Sequence, residues 1–206
     1  KYGGKYPILF LIRHWRKSVS YSILNKNNPN YLSIRYEDIV ENPKDWFDLI
    51  CKHLDVYFDE NILRPDKYIN GCNNFWKQNT SFKVESGFST SAINRWESVL
   101  SKEDVSLIEY LCKPEMHYYK YINKFEDCST SNIVSYKENS NDIVDWLKQY
   151  NLYITEDEIK KEIMRLQLLD LPVDYVSDST KKSYFYDDCV YDSLLGLNNN
   201  NIQEHL

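Results

Sequence analysis

With five glycines and six prolines in 206 residues, the chain has too few of either for a loop-dominated or fibrous protein. It lacks an apolar run long enough to span a bilayer, and no stretch near its start reads as a signal peptide, so a soluble chain is expected. Cys51, Cys72, Cys112, Cys128 and Cys189 form no C-x-x-C pair, and no histidine stands near them to complete a zinc site. This spacing argues against a disulfide framework and against a metal. Free thiols in a reducing compartment fit best. No glycine-rich phosphate loop occurs: Lys1-Tyr2-Gly3-Gly4-Lys5 has neither a preceding strand nor a hydroxyl after its lysine. Asn79-Thr80-Ser81 is a single glycosylation triplet, which chance readily supplies.

What is present is a globular composition, 42% hydrophobic and 15% aromatic, enough for one substantial core or a medium domain with an extra lobe. The net charge of −6 is unevenly spread. Lys1 to Arg35 carries seven Lys or Arg and no acid, whereas Glu126 to Leu206 carries sixteen acids against seven bases. An anion is drawn to the first region and repelled by the last. No nucleic-acid reader motif is present.

The stretch Tyr6 to Ser22, YPILFLIRHWRKSVSYS, reads as a buried parallel-type strand ending at Arg13, then a loop and a helix. A strand that ends in arginine before a helix amino terminus suits an anion such as phosphate. The same residues also fit a plain strand end followed by a solvated serine face. The helix is expected to stop near Leu24 or Asn25, before Asn28-Pro29. Tyr31 to Tyr36 reads as a second strand, and Asn42-Pro43 opens a helix with Trp46, Phe47, Ile50 and Leu54 on one face. Tyr57 to Ser86 reads as loop with at most one short helix, and its Phe75, Trp76 and Phe82 are either pocket-lining or loop-anchoring. Ser101 with Asp104 caps a helix striped by Val105, Ile108, Leu111 and Cys112.

Three stretches together resemble the sulfotransferase family. Tyr6 to Ser22 resembles the segment that holds the 3′-phosphate of 3′-phosphoadenosine 5′-phosphosulfate. The resemblance assigns that phosphate to Arg13 and to Ser20 or Ser22, which flank the family's serine position, here Tyr21. Trp15 and Lys17 stand where the family usually has proline and aspartate. The run YLSIRYEDIVENPKDWFDLICKHLDV is similar to the family's Tyr-Glu-Asp-Leu stretch and places Tyr36 against adenine. Tyr36 also fits as a packed strand end. Ser89 to Tyr121 resembles the family's closing segment, which nominates Arg95 before Trp96, with Ser91 as companion, near the nucleotide; Lys120 replaces the usual glycine before Tyr121.

The resemblance implies an α/β fold, a partial P-loop-like three-layer parallel sheet flanked by helices, in residues 1–127. Residues 128–206 form an acidic, mainly helical extension able to contact a protein partner. Its helices are expected over Asp142 to Tyr150 and Thr155 to Asp170, with a Thr155…Glu158 cap, a polar linker at Ser135 to Asn141 and a disordered tail at Asn198 to Asn201. The implied activity is sulfuryl transfer from that nucleotide to a hydroxyl or amine acceptor. The family's 5′-phosphosulfate loop and its base lie outside the resembling stretches, which points to a piece of a longer chain. His14 and His53 read as structural rather than as the base. The unpaired cysteines favour the cytoplasm, with the Golgi lumen open if an upstream anchor exists. The alternative is a non-catalytic scaffold or partner-binding module derived from the same fold.

Overall fold

The segment from Ile8 to Leu24 contains no glycine or proline, and it folds as one uninterrupted helix, α1, after Pro7. In this computed structural model, which describes residues 6–75, 88–125, 133–136, 143–148 and 155–203, no β-sheet occurs among the described residues. An isolated β-bridge joins Ile69 and Phe75. The expected α/β fold with its P-loop-like parallel sheet is therefore corrected to an all-helical one. A six-residue apolar run fits a strand and a helix equally well until its continuation is considered. Here Ile8, Leu9, Ile12, Val19 and Ile23 fall on one buried stripe at helical spacing, while Leu11 lies half exposed.

The second expected strand is also absent. Residues 31–35 are irregular, and Tyr36 opens helix α2 (Tyr36–Glu41), whose first turn carries Glu37 and Asp38 where acids favour a helix amino terminus. Arg35, at the capping position, pairs with Asp38 (Nε to Oδ2, 2.8 Å) and clamps that turn.

Further helices are α3 (Pro43–His53), α4 (Lys102–Leu111), α5 (Lys113–Tyr118), α6 (Asp145–Lys148), α7 (Glu156–Leu168), α8 (Asp178–Phe185) and α9 (Asp188–Gln203). Their starts obey local chemistry. Pro43 begins α3 in its first turn; Ser101 and Asp104 form a reciprocal capping box on α4; and the Thr155 hydroxyl accepts from the Glu158 N–H at 3.2 Å on α7. The first helix ends at Leu24, as its sequence indicates. The asparagine-rich stretch expected to be disordered instead continues α9. Lys120 adopts a left-handed backbone with φ of 58°, a conformation that glycine holds without steric cost. Asn79-Thr80-Ser81, Trp76, Phe82, Cys128 and most of Ser135 to Asn141 lie outside the described residues.

Two compact units result. One comprises residues 1–27 and 100–206, so the boundary expected at 127/128 falls inside it. In that unit α9 packs against α1, α5 and α8, and α4 packs against α1, α5 and α7. Ile8, Leu9 and Ile12 of α1 meet Leu107 and Leu111 of α4 and Ile159 and Ile163 of α7. Two turns further along α1, Val19 and Ile23 join Leu169, Phe185, Tyr191 and Leu194. The acidic extension is thus built into the core around α1.

The other unit, residues 28–99, holds α2, α3 and short 3-10 turns. There α2 packs on α3 and on the turn Thr90–Ala92, and the Phe47 and Phe88 rings lie 5.3 Å apart. Trp46, Phe47 and Ile50 are half-buried as their spacing indicates, whereas Leu54 is exposed.

Candidate functional site

Arg13, expected at a strand end, sits in the middle of α1 and faces α7. Its Nε donates to Glu162 Oε1 at 2.7 Å, and its Nη2 pairs with Glu158 Oε2. One turn on, Arg16 Nη1 lies 2.6 Å from Glu162 Oε2, although its N–H is not aligned as a hydrogen bond. Glu158 also accepts from Lys161 Nζ at 3.1 Å. The two glutamates are four residues apart, on one face of α7, and so meet successive basic residues of α1.

A second charged pair lies deeper. Arg165 Nη2 pairs with Glu115 Oε1, Arg165 Nε donates to the Tyr184 carbonyl at 3.2 Å, and the guanidinium lies 4.5 Å from the Phe185 ring centroid. Arg16, Arg165, Glu115 and Glu162 are all buried. Arg16 Nε and Nη1, Arg165 Nη1 and Glu115 Oε2 have no hydrogen-bond partner.

These placements shift protonation. Burial alone would lower Arg13, but its bonds to Glu158 and Glu162 outweigh that and raise it. The Arg13 bond, followed by that from Lys161, holds Glu158 below the usual carboxylate range. Glu162 is opposed by its own burial yet also lowered, chiefly by the charge of Arg16. Burial drives the Cys112 thiol up to about 12, with Glu115 adding to the effect, so it is no nucleophile at neutral pH. Arg165 is lowered, first by burial, with Glu115 acting in the opposite sense.

A carboxylate whose folded value is depressed stabilises fully above its unfolded value, 4.5 for glutamate, and that contribution is lost as pH falls through the depressed value. The thermal midpoint of the chain should therefore decline below about pH 4.5. The decline should be shallower in Glu158→Gln, whose partners Arg13 and Lys161 stay charged throughout. Superimposable acid limbs for the two proteins would show that the Arg13–Glu158 pair contributes nothing.

The serines nominated with Arg13 are used by the helix itself. Ser20 is buried and its hydroxyl donates to the Arg16 carbonyl at 2.9 Å; Ser22 is buried and donates to the Ser18 carbonyl at 3.2 Å. Tyr36, Ser91 and Arg95 belong to the unit of residues 28–99. Tyr36 is 53% exposed, Ser91 lies in the turn Thr90–Ala92 that packs on α2, and Arg95 starts the next 3-10 turn, Arg95–Ser98. The Ser89 hydroxyl caps the turn by accepting from the Ser91 N–H at 3.1 Å. His14 is exposed beside Phe10, ring centroids 4.2 Å apart, and His53 ends α3.

Among the described residues, Asp187, Asp188 and Cys189 bring one potential ligand atom each within 4.8 Å of one another. Both carboxylates there accept from the Cys189 N–H, at 2.9 and 3.1 Å, which is the work of a helix start. No described helix is long and apolar enough to cross a membrane.

Sequence reasoning missed Glu115, Glu158, Glu162 and Arg165. The signal for the first contact was the charge imbalance between Lys1–Arg35 and the extension, which the fold resolves by laying one on the other. Comparison with protein-family models, with curated proteins and with solved structures returns no match for this chain.

Proposed function

We propose that the chain binds 3′-phosphoadenosine 5′-phosphosulfate as part of a sulfotransferase that delivers the sulfuryl group to a hydroxyl or amine acceptor. Support comes from the three resembling stretches and, above all, from the packing of α2 on the turn Thr90–Ala92. That packing joins the Tyr36 stretch to the Ser91 and Arg95 stretch within one unit and leaves the Tyr36 ring open to solvent. An exposed aromatic face with a polar tip suits a purine, and an arginine suits the phosphate it carries. In this reading Tyr36 meets adenine with Arg95 and Ser91 assisting it within the unit of residues 28–99, and, as a separate expectation from the resemblance, Arg13 of the other unit meets a phosphate. Ser20 and Ser22 remain the nominated hydroxyl donors, each of which must first leave its bond to α1. Sulfuryl transfer also needs a base and a cation at the bridging oxygen, which these stretches do not supply, so binding is the property to measure.

Calorimetric titration of adenosine 3′,5′-bisphosphate should give saturable heat, weakened about ten- to a hundredfold in Arg13→Ala, with AMP as weak as the bisphosphate is to that variant. Tyr36→Ala should weaken the bisphosphate and AMP alike. Equal affinity for the two ligands in the unsubstituted chain would remove Arg13 from the 3′-phosphate.

A second reading, a non-catalytic partner-binding scaffold, is favoured by the carboxylates already seated on Arg13. Absence of heat with either nucleotide, in a chain shown to be folded, would put it first.

A further inference from the structure

We infer that α7 is an internal competitor for the Arg13 anion site, with Glu158 as the displaceable part. This rests on the proposal that Arg13 serves a phosphate. A guanidinium engages an oxyanion best along one edge, with two parallel N–H donors meeting two oxygens. In the structure the Nε and Nη2 donors of Arg13 are both taken by carboxylate oxygens, one from Glu162 and one from Glu158. The two glutamates therefore stand where phosphate oxygens would sit on that Nε–Nη2 edge.

The two contacts are not equally fixed. The Glu162 side chain is 6% exposed and held between Arg13 and Arg16, whose side chain is 5% exposed. Glu162 cannot leave without stranding a buried charge. Glu158 and Arg13 are solvent-accessible, 29% and 39%, and Glu158 has a second cation, Lys161, on its own helix. A phosphate can approach this solvent-accessible pair, take the Nη2 donor, and leave Glu158 with Lys161. No charge is stranded and no buried group is uncovered in the exchange.

The acidic extension supplies both carboxylates, and none lies within α1 itself. The extension thus sets the threshold at which an anion is accepted. A monoanion that offers no more charge than Glu158 gains little by replacing it, whereas a phosphate dianion gains a second negative charge at the same guanidinium. The built-in competitor discriminates by charge.

The test uses the full chain and adenosine 3′,5′-bisphosphate as probe. Glu158→Gln should tighten binding about two- to fivefold, the worth of one part-exposed ion pair. Glu156→Gln is the control: it removes the same charge from the first turn of the same helix, but Glu156 pairs with Lys160 at 2.7 Å and does not touch Arg13. Its affinity should equal that of the unsubstituted chain. Adding Arg13→Ala to Glu158→Gln should abolish the gain. Equal tightening in Glu156→Gln and Glu158→Gln would reduce the effect to net charge and overturn the inference. So would an unchanged affinity in Glu158→Gln when binding still depends on Arg13, and then the binding proposal survives alone. No binding by any variant, with circular dichroism showing each to be folded, overturns both.

Discussion

Glu115→Ala is expected to lower the unfolding free energy by about 3–5 kcal/mol, a large share of the stability of a domain this size. Glu115 is fully buried on α5, and its Oε1 meets the buried Arg165. Arg16 is buried nearby and also feels the Glu115 charge. Removing that carboxylate leaves two buried guanidinium groups with Glu162 as the remaining buried acid of the cluster. Four polar atoms of the cluster, Arg16 Nε and Nη1, Arg165 Nη1 and Glu115 Oε2, already lack hydrogen bonds, so no reserve of partners exists to absorb the loss. The cost of breaking a buried pair is mostly the cost of the charge left behind. It follows that Glu115→Leu combined with Arg165→Met, which removes both charges and keeps apolar volume, should recover most of the stability. Urea denaturation of the two variants decides the matter. A loss below about 1 kcal/mol in Glu115→Ala would mean that the pair is hydrated in solution and not sealed as the structure has it.

How much of this was legible beforehand differs between elements, for physical reasons. Helix starts are local events, and they were read correctly: Ser101 with Asp104, Thr155 with Glu158, Pro43 in its first turn. Stripe positions such as Val105, Leu111 and Cys112 are also local, and they are buried. The state of Ile8 to Ile12 was not local. Those residues are apolar at every position, so a strand and a helix bury them equally well. The deciding fact is that Arg16, Val19, Ser20 and Ile23 continue the same face without a break. Similarly, Tyr31 to Tyr36 alternates like a strand, yet residues 31–35 are irregular and Tyr36 opens α2. At the candidate site, Arg13 stood out as a cation in a region free of acids, but its partners are about 145 residues away in sequence. Only the charge excess of the extension hinted at them. The exposed positions Tyr36, Ser91 and Arg95 were legible as a pattern, and the fold adds the packing of α2 on Thr90–Ala92.

Phe185→Ala should be nearly as damaging, by about 3–5 kcal/mol, for a different reason. Phe185 ends α8 with no exposed surface, its ring centroid 5.0 Å from that of Tyr191 in an edge-to-face contact. The Tyr191 hydroxyl donates to the Leu168 carbonyl at 3.0 Å and so ties α9 to the end of α7. The Arg165 guanidinium also lies over the Phe185 ring, which makes this ring a neighbour of the charged cluster as well as part of the apolar core. Truncation to alanine removes the transferred hydrocarbon, opens a cavity, and uncovers a buried cation at once. Phe185→Leu separates these contributions. It keeps most of the volume and forfeits the aromatic pair and the cation–π contact, each worth about 0.5–1.5 kcal/mol. Guanidinium melts should therefore rank the chain above Phe185→Leu, and Phe185→Leu above Phe185→Ala, with the larger gap at the second step. Were leucine as damaging as alanine, the ring would matter for its electrons more than for its bulk. The cation would then depend on the ring face, and the charged cluster and the apolar core would have to be treated as one cooperative unit.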